Sequence, residues 1–112
     1  MTVPLVMRRI AQREYDGAVT RYDRQRRGLG GRFVNVLRKS LERIAAQPDR
    51  YPLVLSDVRE ASVPKWPYCV YYRAFADHVL ILAVFHTSRD PAIWQARATN
   101  AATSHCLISP ER

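Results

Sequence analysis

The chain has 112 residues, 47% hydrophobic and 25% charged, with a formal net charge of +8 and an isoelectric point near 10.2. One core fills a chain of this length; no apolar run approaches the roughly 18 residues that cross a bilayer, and Met1 to Arg9 holds no apolar segment before a small-residue cleavage site, so the expected location is the cytoplasm, with no membrane partner. The excess of cations favours a polyanion or an acidic protein surface as partner.

From Ile10 to Arg26, Tyr15, Ala18, Val19 and Tyr22 recur at helical spacing and predict an amphipathic helix with Arg13, Asp16, Arg21 and Arg24 on its other faces. Gly28-Leu29-Gly30-Gly31 breaks the pattern and predicts a turn. A second stripe of Phe33, Val34, Leu37, Leu41 and Ile44 follows, ended by Gln47-Pro48-Asp49. Two helices across a short turn should form an antiparallel hairpin.

After Pro52 the pattern becomes that of strands: Val58–Val63, Cys69–Phe75 and Val79–Phe85, the last two joined at Ala76-Asp77-His78. Neighbouring runs pair antiparallel, so the expected fold class is α+β: an N-terminal helical hairpin packed on a small antiparallel sheet. Asp90 as N-cap and Pro91 as first helical residue start a short C-terminal helix through Trp94 to Arg97. The expected organisation is one domain over residues 1–97 and a disordered tail over 98–112.

The glycine stretch follows a helix and lacks the Lys-Ser/Thr of a phosphate-binding loop, so no nucleotide cofactor is expected. His78, His86 and His105 have no second ligand at metal spacing, and Cys69 and Cys106 have neither disulfide nor zinc spacing; no metal and two free thiols are expected. Cys69, Trp66 and Trp94 are first of all core candidates. Of the eighteen Lys and Arg, twelve lie in residues 1–50, and all but Lys39 and Lys65 are arginine, whose planar fork suits phosphate or carboxylate.

Around the strands stand Arg59, Lys65, Arg73, His86, Ser88 and Arg89. Two-residue periodicity places Arg73 on one face with Tyr71, a pairing that would suit phosphate contact and base stacking. Cleavage of RNA through its 2′-hydroxyl needs a base, cations for the developing charge and an acid; Arg59, Lys65, Arg73, His86 and Arg89 would be the catalytic set of such an enzyme. As ordinary solvated or ion-paired side chains the same residues carry no function.

In order and spacing, Tyr22-Asp23-Arg24-Gln25, Gly28-Leu29-Gly30-Gly31-Arg32-Phe33, Gln47-Pro48-Asp49-Arg50-Tyr51-Pro52, Val58-Arg59, Lys65-Trp66-Pro67-Tyr68 and Val84-Phe85-His86-Thr87-Ser88-Arg89-Asp90-Pro91 with Trp94 and Arg97 resemble the RelE/ParE superfamily of toxins from bacterial type II toxin–antitoxin systems. The resemblance covers about four fifths of the chain, Ile10 to Arg97, and implies a cognate antitoxin partner and, through the toxin–antitoxin complex, indirect contact with promoter DNA.

The long hairpin with its Gly-Leu-Gly turn is more similar to ParE, which implies inhibition of DNA gyrase without bond-breaking chemistry, with Arg59, Arg73, Arg89, Trp94 and Arg97 as target-binding residues. The RelE-like alternative is a ribosome-dependent mRNA endonuclease using the catalytic set above. Its sheet normally carries more cations and a tyrosine near the C-terminus, whereas here residues 51–112 hold six basic against five acidic residues and no tyrosine follows Tyr72. Whether the chain is an enzyme turns on that choice. A second alternative is an inactive relative that only binds its antitoxin.

Overall fold

The computed structural model describes residues 2–104, and their side chains as far as residue 98. Strand β1 (Leu5–Met7) leads into helix α1 (Arg9–Gln25) and helix α2 (Leu29–Ala46); β2 (Leu53–Leu55), β3 (Val58–Ser62), β4 (Tyr68–Ala74) and β5 (Val79–His86) follow, and α3 (Ala92–Ser104) ends the described chain. The α+β class and the hairpin are as expected. The sheet is larger than the expected meander: five strands in the order β1-β5-β4-β3-β2, with β1 parallel to β5 and the other pairs antiparallel. Strands of three residues such as β1 and β2 show no periodicity in sequence; only their neighbours make them strands.

The turn between the helices is shorter than the glycine stretch. Gly28 alone takes a left-handed conformation, φ +88°, while Gly30 and Gly31 lie inside α2. Gly30 is there for close approach: a Cβ at this position would sit 2.6 Å from the Val19 carbonyl oxygen and 2.8 Å from the Asp23 carboxylate. This missing side chain lets α1 and α2 touch backbone to side chain. Asp23 Oδ1 accepts the Gly30 N–H at 2.8 Å, so a carboxylate from α1 takes one of the free donors at the start of α2.

The hairpin covers one face of the sheet. Phe33, Leu37 and Ile44 of α2, and Ala11 and Ala18 of α1, are fully buried against Val70, Tyr72, Val79, Ile81 and Val84. Burial of each large side chain contributes about 1.5–3 kcal/mol. The other face carries a smaller cluster in which Trp94 and Ala98 of α3 close over Val58, Cys69, Tyr71, Leu82, Ala83 and Phe85. Continuation of α3 to Ser104 extends the helix beyond its expected end at Arg97 and takes in the first part of the expected tail; residues 105–112, with Cys106 and His105, lie outside the described residues. No helix among the described residues is long and apolar enough to cross a membrane.

One irregularity decides which residues of β5 face the hairpin. Tyr72 pairs with Ile81 but Tyr71 pairs with Ala83, so Leu82 is an extra residue, a β-bulge. Leu82 and Ala83, adjacent in sequence, both join the α3-side cluster, and from Val84 onward the alternation is shifted by one. Val84, and by the same two-residue step His86, therefore face the hairpin side.

The loop from Gln47 to Pro52 is tied down by the sheet. Tyr72 donates its hydroxyl to the Pro48 carbonyl at 2.6 Å, and Arg59 Nη1 donates to the carbonyls of Tyr51 at 2.6 Å and Asp49 at 3.2 Å. Burial pushes the Tyr72 phenol up to about 12.

Candidate functional site

Because β1 pairs only with Val79–Ile81, the rest of β5 has no strand on that side, and its outward backbone groups need other partners. Glu14 of α1 supplies one: its Oε1 accepts the Val84 N–H at 3.0 Å. Arg97 of α3 supplies another, donating to the Leu82 carbonyl at 3.4 Å. Arg97 also grips both oxygens of Glu14, at 2.9 and 2.7 Å, and Arg89 adds a third arginine hydrogen bond at 2.7 Å. A two-pronged arginine–carboxylate pair is a strong, directional contact. With its side chain 10% exposed, Glu14 links α1, β5 and α3 at the open edge.

Beside this carboxylate lies a cleft of about 210 Å³, floored by Val84. Arg21 of α1, Tyr68 from the start of β4, and His86, Ser88 and Arg89 from the end of β5 and the turn after it form its walls. Tyr68 pairs in register with His86, and their rings meet edge to face at 5.1 Å. Phe33 at 5.0 Å and Tyr22 at 6.2 Å hold the Tyr68 ring from the hairpin side. The residue is 3% exposed, and its hydroxyl makes no hydrogen bond with any described residue. Burial raises the phenol above its ordinary value, opposed by the positive charges of Arg21 and Arg89.

His86 Nδ1 lies 3.0 Å from the Ser88 backbone N–H and 2.8 Å from Ser88 Oγ. A backbone N–H only donates, so Nδ1 is an acceptor and the hydrogen of the neutral ring is on Nε2. The cleft is thus rich in donors. Its one carboxylate among the described residues, Glu14, is already occupied by Val84, Arg89 and Arg97.

Of the residues singled out from sequence, His86, Ser88 and Arg89 meet in this cleft, and Arg97 adjoins it through Glu14. The others do not. Arg59 is at the far side of the sheet, holding the loop before β2 and 3.8 Å from Asp49. Lys65 is exposed in the β3–β4 turn with φ +69°.

Arg73 does share a face with Tyr71, but that face is closed by α3 and offers no platform for bases. Arg73 is 5% exposed, paired with Asp57 at 2.8 Å and donating to the Ala98 carbonyl at 3.2 Å. Trp94 is 3% exposed and stacks on Tyr71 with ring centroids 3.9 Å apart, so it is packing and not a surface contact. Tyr71 in turn donates to Glu60 at 2.6 Å, and Cys69 is a buried thiol that burial pushes up from its ordinary value.

Sequence reasoning missed Glu14, Arg21 and Tyr68. Glu14 had a readable signal: it lies three residues after Ala11 and four before Ala18, a charge inside a buried stripe. Arg21, seven residues on, shares its side of the helix. Among the described residues no group of three His, Cys, Asp or Glu could hold a metal ion.

The family model described as the ParE toxin of type II toxin–antitoxin systems, parDE, matches residues 5–91 of the chain. A solved structure described as the chromosomal ParDE TA system from P. aeruginosa superimposes with a TM-score of 0.69 at 15% sequence identity, covering 78% of this chain and 98% of that one. At that identity the likeness speaks for the fold. No curated protein sequence matches the chain.

Proposed function

Because this chain belongs to the ParE toxin family of type II toxin–antitoxin systems, we propose that it arrests growth by binding DNA gyrase and is neutralised by a cognate antitoxin. It acts as a binding protein and not as a nuclease. The observation that carries this reading is the state of His86, the imidazole that a nuclease using this set would need as its base. Its Nδ1 is taken by the Ser88 N–H and its Nε2 carries the hydrogen, so the neutral ring has no free lone pair with which to activate a hydroxyl.

Of the rest of the catalytic set, Arg89 joins His86 in the cleft but is tied to Glu14, and the others are dispersed. Arg59 and Arg73 are committed to structure and Lys65 lies on a separate turn, whereas phosphoryl chemistry needs its cations within a few ångströms of the reacting group. The arginine-rich hairpin and the net charge of +8 suit an acidic antitoxin segment, which would associate quickly and with strong dependence on salt.

The test is a gyrase supercoiling assay with purified protein, run beside a ribosome-dependent mRNA cleavage assay. Inhibited supercoiling with intact mRNA is the expected result. Cleavage of mRNA by wild type that disappears in His86→Ala would overturn the reading in favour of the endonuclease. Growth arrest with gyrase unaffected would remove the gyrase target, and no arrest at all would leave a protein that only binds its antitoxin.

A further inference from the structure

The cleft between α1 and the end of β5 is lined by hydrogen-bond donors that lack acceptors among the described residues. Arg21 is exposed and enters no ion pair with a described residue. The Tyr68 hydroxyl, on a residue only 3% exposed, is likewise unpartnered and borders the cleft. His86 offers Nε2–H, since Nδ1 is held by Ser88. Arg89 gives one nitrogen to Glu14 and keeps further N–H groups free of it. The carboxylate on the walls, Glu14, is saturated.

Charge points the same way. Glu14 is answered by Arg89 and Arg97 together, so with Arg21 the cleft and its margin remain positive. A ligand that completes this set must be an acceptor without hydrogens to donate, negative, and small enough for about 210 Å³. Planar carboxylates meet arginine edge on; donors arriving from α1, β4 and the β5–α3 turn surround the ligand instead, as suits a tetrahedral group. We infer that this cleft binds the phosphate group of a phosphate ester, gripped by Arg21, Tyr68, His86 and Arg89.

Two features make the site preformed. The Tyr68 ring is fixed by Phe33, Tyr22 and His86, so its hydroxyl needs no reordering to meet a ligand. Along α1, Gly17 lies three residues after Glu14 and four before Arg21, and nothing is within 4 Å of where its Cβ would be. The helix surface between Glu14 and Arg21 therefore carries no side chain at Gly17. Phosphate is held here and not cut, because neither Glu14 nor His86 has a free basic lone pair in this arrangement. Phosphate binding in this cleft does not depend on gyrase being the target.

The experiment follows the His86 ring signals of the full chain by NMR during titration with inorganic phosphate, a short DNA duplex and a glutamate-rich peptide. Tyr68→Phe removes one hydroxyl and keeps the ring; Arg21→Ala changes an exposed side chain. Each should weaken phosphate binding about tenfold, the effect of one hydrogen bond to a charged group.

If DNA moves the same signals and loses the same factor in both variants, the site takes the phosphodiester of a strand. If inorganic phosphate alone does so, it takes a free phosphate ester. Binding unchanged in both variants, no response to phosphate at all, or a response to the peptide alone overturns the inference.

Discussion

The two faces of the sheet are built on different principles. On the hairpin face, long apolar stripes from α1 and α2 meet alternate residues of β4 and β5, and nearly every buried contact is apolar or aromatic. On the α3 face a short helix is held by a few specific contacts: Trp94 stacked on Tyr71, Arg73 reaching the Ala98 carbonyl, and Arg97 gripping Glu14. The first face is a core that many sequences of the right pattern would make. The second is a fastening, and each of its parts should be separately breakable.

The largest effect is expected at that fastening. Trp94→Ala removes the main apolar anchor of α3 and should cost about 3–5 kcal/mol, measured as a shift in the denaturant midpoint. A loss below about 1 kcal/mol would show that α3 is not part of the cooperative unit and would break the comparison. Next is Gly30→Ala on the hairpin side, where the new methyl group meets the Val19 carbonyl; about 3 kcal/mol is expected. Wild-type stability in that variant would mean that α1 and α2 can part without cost.

Arg73→Ala should cost about 2 kcal/mol, less than a fully buried pair, because Asp57 has a side chain 61% exposed and rehydrates once abandoned. Its effect should appear as faster amide exchange in α3 with little change in α2, which sharpens the contrast. Tyr72→Phe leaves the Pro48 carbonyl without its donor and should cost about 1 kcal/mol.

The same residue adds a dependence on pH. Its folded phenol is pushed to about 12 against an ordinary value of 10.0, so the folded state binds the proton more tightly than the unfolded chain. That contribution is complete below pH 10 and is lost as pH rises toward about 12. Wild type should therefore lose more stability across that window than Tyr72→Phe. The smallest expected effect is a gain: Gly17→Ala, with open space around the new Cβ, should add about 0.5–1 kcal/mol through helix propensity.

Much of the architecture was legible along the chain. The spacing of Phe33, Leu37, Leu41 and Ile44 fixes the buried side of α2 because a helix has a regular repeat of about 3.6 residues, and Pro48 and Asp90 mark the limits of helices by their own chemistry. The strands from Val58 onward, the α+β class and the order of elements follow from patterns that span only a few residues.

The candidate site was legible only in fragments. His86 and Arg89 stood out by type, but Glu14 is separated from Arg89 by 75 positions and from Arg97 by 83, and no local pattern joins them. Leu82 gave no sign that it would bulge, yet that bulge turns Val84 and His86 toward α1. Arg73 with Tyr71 looked like a face for phosphate contact and base stacking because two-residue periodicity assigns a face and cannot say what later covers it.

The sequence by itself determined the two long helices, the three longer strands and the apolar side of each helix, since these depend on backbone geometry and the repeat of neighbouring side chains. Tertiary structure alone decided that β1 stops short beside β5 and that Glu14 closes the exposed edge. It also placed four donors around one small cleft. Such matters depend on which backbone groups are left unpaired once the sheet is assembled, and that is a property of the whole fold.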